Sequence, residues 1–343
     1  MSSKGQTVFQ GEEHDCYYDI DPRQNPELAS ALTGLNAVVA GAGRGIGRAC
    51  SQFLTYAGVR SLTLVALEAD ELEATAASCQ SINSQLLVKT VACDVCDAAS
   101  VEAVLAAVDT DFGGVDVLLM NAGRPPQWLP TAVSDPGIWW STVAVSLQGA
   151  FHFSRYAIPA MQRHGRGGRI IFTSSAGAHS NHGMASYTIG KLGMVRLAEI
   201  LHQENFKEHG IKTFSFNPGC VRTRFMTDFE DFLKAEDGSG INSGSGGTKS
   251  NSTSYLVPGV PGEKQSAETV MRAFSNVTFD TPELAAGLVT VLAAGKLDFM
   301  SGRYIDASRN IAEYIAEKDK IQTDDLHRVK LHLADRYIPT SDF

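Results

Sequence analysis

The stretch L-N-A-V-V-A-G-A-G-R-G-I-G, residues 35–47, decides the fold of this chain. Its first six residues form a short apolar run, which is typical of a buried strand. Three glycines, Gly41, Gly45 and Gly47, follow at once, and a helix-like pattern continues to Tyr56. A strand, a glycine turn and a helix in this order predict the opening of a βαβ unit.

The glycine turn has the composition of a phosphate-binding loop. Its glycines permit a tight turn, leave room for a pyrophosphate and let the helix pack close to the strand. The helix N-terminus then faces the anion. The spacing G-x-x-x-G-x-G differs from the common G-x-G-x-x-G fingerprint, which would need a glycine where Ile46 stands. We predict a dinucleotide site here, with a glycine-rich loop that holds no ligand as the alternative.

Strand and helix candidates alternate along the rest of the chain. Further apolar strand candidates are residues 62–66, 86–92, 115–120, 169–173 and 211–216. Amphipathic helix candidates are residues 68–81, 100–111, 138–162 and 185–209. This alternation predicts a parallel sheet covered by helices on both faces. We expect an α/β protein with a Rossmann-type, doubly wound parallel sheet in a single domain of about residues 34–310.

Three segments lie outside this alternation. Residues 1–33 are polar, with scattered prolines and glycines, which fits either a mobile arm or a strap on the domain. Residues 237–254 hold almost no apolar side chain, and so long a loop is usually a functional lid or disordered. We expect a substrate lid over about 225–270, with an apolar face from Phe225, Met226, Phe229 and Phe232. The third segment is a C-terminal extension, residues 311–343, which we predict to be helical up to Arg336.

The composition excludes several classes of protein. A chain of 343 residues with 43% hydrophobic content can bury a core, so it is not a disordered protein. A net charge of −9 argues against binding to nucleic acid or to an anionic membrane. No apolar run approaches the roughly 20 residues of a membrane span, and the polar N-terminus does not resemble a signal peptide. We therefore expect a cytoplasmic protein.

The six cysteines are scattered and are expected to be reduced thiols. Cys93-Asp94-Val95-Cys96 forms one C-x-x-C pair, but no second pair or histidine cluster accompanies it. We therefore expect no metal site.

A second stretch, S-S-A-G-A-H-S-N-H-G-M-A-S-Y-T-I-G-K, residues 174–191, carries the candidate chemistry. Tyr187 and Lys191 lie one turn apart if a helix runs through them. A neighbouring ammonium favours the phenolate and lowers the tyrosine pKa from about 10, which makes the side chain a usable general acid and base. Ser174 follows the predicted strand 169–173 and can donate a hydrogen bond to a substrate carbonyl. The adjacent Ser175 is the alternative, but its side chain should point to the opposite side of an extended chain.

The spacing of Ser174, Tyr187 and Lys191 resembles that of the short-chain dehydrogenase/reductase family. Asp94-Val95 is similar to the family's adenine contact, Asn121-Ala122-Gly123 to its N-A-G segment, and residues 218–223 to the P-G-x-V-x-T that lines the nicotinamide. The resemblance covers about residues 34–310 without the low-complexity loop. The cofactor contacts that it implies are Gly41, Arg44, Gly45, Ile46, Gly47, Asp94, Val95, Asn121, Ala122, Gly123, Tyr187, Lys191, Pro218, Gly219, Val221 and Thr223.

Two departures from the family pattern bear on function. Ala66 stands where NAD-specific members carry an acid; Glu68 would oppose a 2′-phosphate and Arg44 would favour one, and we expect NADP(H) over NAD(H). Ser146 replaces the family's catalytic asparagine, which holds a water that hydrates the lysine. A serine hydroxyl still donates and accepts hydrogen bonds, so we expect a shifted or extra water to replace the amide.

The resemblance implies an NAD(P)-dependent oxidoreductase that interconverts a carbonyl and an alcohol. Tyr187 would exchange the proton, Ser174 orient the carbonyl, Lys191 grip the nicotinamide ribose and Thr223 contact the carboxamide. The substrate is expected to be a bulky, partly apolar small molecule, as in short-chain reductases of specialised metabolism. Expected substrate contacts are Arg124, Trp128, His179, His182, Met184, Phe225 and Met226.

Two rival functions stay open at this point: a non-redox dehydratase or cyclase, and a dinucleotide-binding regulator without turnover. The resemblance also implies a homodimer or homotetramer, paired through the helices predicted at 138–162 and 185–209.

Overall fold

Strands and helices alternate through most of the chain in this computed structural model, which describes residues 11–179, 183–236 and 262–330. The strands of the described part are β1 (Asn36–Ala40), β2 (Ser61–Ala66), β3 (Leu87–Ala92), β4 (Val117–Met120), β5 (Gly168–Thr173), β6 (Ile211–Asn217) and β7 (Arg303–Asp306). Its α-helices are α1 (Gly45–Tyr56), α2 (Ala69–Ile82), α3 (Ala98–Phe112), α4 (Pro136–Val143), α5 (Gly149–His164), α6 (Ala185–His209), α7 (Arg224–Glu236), α8 (Glu263–Phe274), α9 (Pro282–Ala293), α10 (Ile311–Ala316) and α11 (Lys318–Thr323).

The strands form one parallel sheet with the order β3-β2-β1-β4-β5-β6-β7. The predicted Rossmann-type sheet in a single domain is confirmed. Chain order reverses between β1 and β4, where Ala40 is in register with Met120. A reversal of this kind opens a crevice beyond the carboxyl ends of the strands, which is where α/β sheets bind ligands.

Both faces of the sheet are covered, and β1 shows how. All five of its residues are buried; Val39 faces the core formed with α1 and α9, whereas Val38 and Ala40 face the core formed with α3, α5 and α6. Successive side chains of a strand point to opposite faces, so an unbroken apolar run is what a strand buried on both sides requires.

The described part of the N-terminal segment lies on the domain as a strap. Ile20, Leu28 and Leu32 are buried in the α1–α9 core. A Cβ added to Gly287 of α9 would lie 2.7 Å from the Ile20 side chain, so the two segments are in close contact.

Two predicted helices differ from the structure. The helix expected over 138–162 is divided into α4 and α5 by a π-helical turn, Ala144–Gln148. The C-terminal extension is not one helix, because α10 and α11 are short and residues 324–330 fold back until His327 accepts a hydrogen bond from the backbone of Tyr304 in β7.

The flanks of the expected lid are helical. Helices α7 and α8 pack on each other through Met226, Phe229, Ala267 and Val270. The predicted low-complexity loop, 237–254, lies outside the described residues. In the part of the chain that the structure describes, no helix is both long and apolar enough to cross a bilayer.

Candidate active site

A cavity of about 840 Å³ lies at the carboxyl edge of the sheet, beyond β1 and β4. Its walls come from the glycine turn, the ends of β2, β4, β5 and β6, the start of α6, and the helices α7 and α8. Most of the predicted cofactor residues share this wall. They are Gly41, Arg44, Gly45, Ile46, Asp94, Val95, Asn121, Ala122, Gly123, Tyr187, Lys191, Pro218, Gly219, Val221 and Thr223.

The glycine turn forms a cradle that side chains would fill. A Cβ on Gly45 would lie 3.0 Å from Thr223 on the facing wall, and one on Gly41, where φ is +84°, would lie 2.5 Å from the backbone nitrogen of Ala122. Gly47 is not on the cavity wall; a Cβ there would lie 1.9 Å from the Gly41 carbonyl oxygen, so this glycine lets α1 approach the turn.

The cradle fits the pyrophosphate of a dinucleotide. Helix α1 begins at Gly45, and the first N–H groups of a helix have no partner within it. Those groups and the positive end of the helix dipole face the cavity, which favours a phosphate there. Asn121 braces the turn by donating from its Nδ2 to the Gly41 carbonyl oxygen at 3.0 Å.

Two arginines converge on one carboxylate at the wall beside β2. Arg44 Nη1 lies 2.7 Å from Glu71 Oε1, and Arg224 Nη1 lies 3.4 Å from the same oxygen. Arg224 is the first residue of α7, so its ion pair with Glu71 of α2 joins two walls of the cavity. Sequence reasoning missed Glu71 and Arg224, because nothing in the spacing of α2 and α7 shows that they meet.

Tyr187 and Lys191 lie one turn apart at the start of α6, and both are buried. Lys191 Nζ donates a hydrogen bond to the Thr173 carbonyl oxygen at 2.7 Å and lies 5.6 Å from the centre of the Tyr187 ring. The predicted pairing of phenol and amine on one helix face is therefore present.

Burial shifts the two side chains in opposite directions. Loss of solvent raises the pKa of Tyr187 to about 12, although a hydrogen bond with Ser175 lowers it in part. Burial lowers the pKa of Lys191 to about 8. The expectation that Lys191 depresses the pKa of Tyr187 is wrong in this structure, because burial of the phenol dominates.

The structure places Ser175, rather than Ser174, beside the Tyr187 hydroxyl. Ser174 is buried, and its Oγ donates to the Lys191 carbonyl oxygen at 3.0 Å. Ser175 Oγ hydrogen-bonds the Tyr187 side chain and accepts from the Gly177 backbone at 2.9 Å. The two side chains do point in different directions, as predicted, but the strand ends at Thr173 and it is the second serine that reaches Tyr187.

Ser146 lies in the π-helical turn between α4 and α5 and is fully buried. A Cβ on Gly190 would lie 3.6 Å from Ser146 Oγ, so the hydroxyl faces α6 one residue before Lys191. No protein partner within hydrogen-bonding distance is found for this hydroxyl among the described residues. Because buried polar groups are almost always hydrogen-bonded, we expect this hydroxyl to bind a water molecule.

The remaining cavity wall is largely apolar. Of the predicted substrate contacts, Arg124, Trp128, Met184 and Met226 lie on it. Helix α8 and the residues after it add Val270, Phe274, Val277 and Phe279, which the sequence did not single out. Trp128 adopts a positive φ of 55° and packs edge-on against Phe274 with ring centres 5.8 Å apart.

Of the other three predicted substrate contacts, only His179 is described by its side chain, and it does not line this wall. His179 packs edge-on against Tyr304 with ring centres 5.3 Å apart, away from the cavity lining, and burial lowers its pKa. His182 and the side chain of Phe225 lie outside the described residues. Across the ranges that the structure describes, no group of three His, Cys, Asp or Glu side chains is placed to hold a metal ion.

Comparison with known proteins agrees with this geometry. The profile of the short chain dehydrogenase family matches residues 35–234. A short chain dehydrogenase of Monascus purpureus is 31% identical over 304 residues, which cover 88% of this chain and 89% of that protein. One from Monascus ruber is 26% identical over 322 residues, covering 92% and 91%.

Solved structures share the fold. Levodione reductase superposes with a TM-score of 0.65 at 23% identity, covering 80% of this chain and 96% of that one. NAD⁺-bound xylitol dehydrogenase gives 0.63 at 23% identity, covering 80% and 98%. The profile match spans more than half of the chain, and with the Monascus purpureus relative it shows that this chain belongs to the short-chain dehydrogenase/reductase family.

Proposed function

We propose that this protein is an NAD(P)-dependent oxidoreductase that interconverts a carbonyl and an alcohol on a bulky, partly apolar small molecule. One observation carries the proposal: Tyr187 and Lys191 share a single cavity with the glycine cradle and with the turn Pro218–Thr223. Members of this family bind NAD(P), and the cradle suits the pyrophosphate of either cofactor.

Tyr187 is the proton donor in this proposal. A pKa of about 12 keeps its hydroxyl protonated at neutral pH, so the side chain can give a proton to a carbonyl oxygen as that oxygen becomes an alcohol. A bound nicotinamide would supply the hydride to the carbonyl carbon, or accept it in the reverse direction. Ser175, whose hydroxyl already contacts Tyr187, orients the same carbonyl oxygen. Ser174 instead holds the backbone of α6.

Lys191 would bind the nicotinamide ribose and Thr223 the carboxamide. The ammonium is fixed by the Thr173 carbonyl, on the side of the cavity next to Tyr187. Ser146 would hold a buried water that hydrates Lys191, since its hydroxyl faces α6 beside that residue. Such a water would complete a proton path from Tyr187 to solvent.

The cofactor preference that we propose is NADP(H). Arg44 and Arg224 bring two guanidinium groups to Glu71 in the first turn of α2, which follows β2, where the adenosine ribose would lie. Arg224 is also paired with Asp228, and Glu68 lies on the same wall, so the proposed preference rests on Arg44, whose guanidinium would exchange Glu71 for a 2′-phosphate.

The substrate end of the cavity favours an apolar molecule. Trp128, Met226, Val270 and Phe274 supply its wall, and Arg124 places a cation among them. A wall of this composition suits a ketone or alcohol with a large hydrocarbon skeleton. We also propose that the protein works in the cytoplasm, where its six cysteines would stay reduced.

The test is oxidation of NADPH or NADH, followed at the reduced-nicotinamide absorbance band, with a panel of bulky ketones. Tyr187→Phe should lower turnover by about 10²–10⁴-fold, because it removes the transferred proton, while NADPH still binds in a fluorescence titration. Retained turnover in Tyr187→Phe would refute the assignment of the donor. Binding of NADPH without turnover on any ketone would favour a dinucleotide-binding regulator.

A further inference from the structure

The turn Pro218–Thr223 is held from behind by a single acidic residue, Asp280. This residue precedes α9, and only 6% of its side chain is exposed. Asp280 Oδ2 accepts a hydrogen bond from the Cys220 backbone at 2.5 Å, and the Asp280 backbone donates to the Cys220 carbonyl oxygen at 2.9 Å. Both backbone groups of Cys220 are thus bonded to Asp280.

Asp280 also contacts the N-terminal strap. Its other carboxylate oxygen lies 2.6 Å from His14 Nδ1. The next residue, Thr281, donates from its backbone to the His14 carbonyl oxygen at 2.9 Å and from its hydroxyl to Asp15 at 2.6 Å. Asp280 is therefore bonded to both the strap and the turn, and its neighbour Thr281 adds two further bonds to the strap.

The packing leaves little freedom between Asp280 and the turn. Gly219 adopts a φ of +87°, and a Cβ there would lie 2.4 Å from Asp280 Oδ2. Gly219 and Cys220 line the cavity on their other side. A turn fixed on its outer face presents its inner face in one position, which is how supporting hydrogen bonds orient a binding surface.

We propose that Asp280 is a positioning residue that fixes the nicotinamide-facing turn, and that His14 couples the N-terminal strap to it. The inference rests on the proposed function, since it takes Pro218–Thr223 as the nicotinamide contact. Asp280 does not line the cavity, and it acts through the backbone of Gly219 and Cys220, which do.

The experiment compares full dinucleotides with fragments that lack the nicotinamide. NADPH is paired with 2′-phospho-ADP-ribose, and NADH with ADP-ribose. Asp280→Ala should weaken the full dinucleotide about tenfold and leave its fragment within about twofold, because Asp280 bonds Cys220 and not Thr223, the residue of the turn that faces the glycine cradle. Asp280→Asn keeps an oxygen acceptor for the Cys220 backbone and should recover most of the loss. His14→Ala should weaken binding of the full dinucleotide about threefold and leave binding of the fragment unchanged.

The matched control is Lys296→Ala, which removes the ion pair between Lys296 and Glu27 of the strap, 2.6 Å long and exposed, with no contact to the turn. It should change neither affinity. Equal weakening of dinucleotide and fragment in Asp280→Ala, or no weakening, would overturn the positioning role. If the wild-type protein binds neither dinucleotide, the proposed function itself fails, and this inference with it. If Asp280→Ala does not fold, the comparison of dinucleotide and fragment is made with His14→Ala. The His14 side chain is half exposed, so its removal should leave the fold intact.

Discussion

Ser174 and Ser175 are adjacent, but their hydroxyls serve different parts of the site. Ser175→Ala removes the group beside the Tyr187 hydroxyl and should lower turnover about 10²-fold with little change in melting temperature. Ser174→Ala removes the hydrogen bond to the Lys191 carbonyl and should cost about 1 kcal/mol of unfolding free energy. Steady-state kinetics and denaturant unfolding of both variants check this. The opposite pattern would return the catalytic role to Ser174.

The residue types of the site could be predicted from the sequence, whereas their exact contacts could not. The separation of Tyr187 and Lys191 by four residues fixes them on one face of a helix wherever that helix lies. The choice between Ser174 and Ser175 depends on where β5 ends, and one residue reverses it. Asp280 and Glu71 meet the site only through tertiary packing, so no local pattern marks them.

Lys191 gives the protein a specific pH dependence. Burial lowers its pKa from 10.5 to about 8, so between these values the unfolded chain binds a proton that the folded chain does not. The folded state therefore gains stability as the pH rises through that window and loses it as the pH falls through about 8. Relative to Lys191→Met, the wild-type protein should gain about 3 kcal/mol of unfolding free energy across the window.

Urea unfolding at pH 7 and at pH 10.5 measures this gain. Lys207→Met, an exposed lysine on the same helix, supplies the baseline for alkaline effects that do not involve Lys191. A wild-type advantage over Lys191→Met that is the same at both pH values would contradict the buried ammonium.

Among the elements, the π-helical turn Ala144–Gln148 is the most informative departure from the predictions. Apolar periodicity over 138–162 indicates a helix but is too coarse to place one extra residue in a turn. Such turns are frequent at functional sites, and this one directs Ser146 toward α6. Strand β7 was missed for a similar reason: Arg303–Asp306 has only four residues and charged ends.

The π-helical turn leads to a prediction about proton transfer. Ser146→Ala removes the hydroxyl that we propose to hold a water and should lower turnover about tenfold, whereas Ser146→Asn should retain it, because the amide can hold a water too. Gln148→Ala, exposed in the same turn, is the control and should be neutral. Unchanged turnover in both Ser146 variants would show that the position is idle.

For the whole molecule, the sequence predicted the sheet but not how the chain ends attach to it. The strands from β1 to β6 are short segments rich in apolar and β-branched residues, which local patterns detect even where polar residues interrupt them, as in β3 and β6. The strap has no such pattern: Ile20, Leu28 and Leu32 are irregularly spaced, so an arm and a strap look alike in sequence. Their burial against α9 depends on the folded surface, which exists only once the sheet is complete.

We propose that the protein forms a homodimer or homotetramer through α5 and α6. Phe151 of α5 and Ile189 and Ile200 of α6 are large apolar side chains that are at least 37% exposed. Contiguous exposed apolar patches mark interaction sites, and α5 and α6, which carry these side chains, contact each other. Ile189→Glu combined with Phe151→Glu should shift the assembly to monomers, measured by light scattering after size exclusion, because each buried charge lacks a partner.

Leu87→Glu, at an exposed apolar position on the edge strand β3, is the matched control and should leave the assembly unchanged. A wild-type protein that is already monomeric at micromolar concentration would contradict the proposal. So would a double variant that keeps the wild-type mass, since the interface would then lie on another face of the molecule.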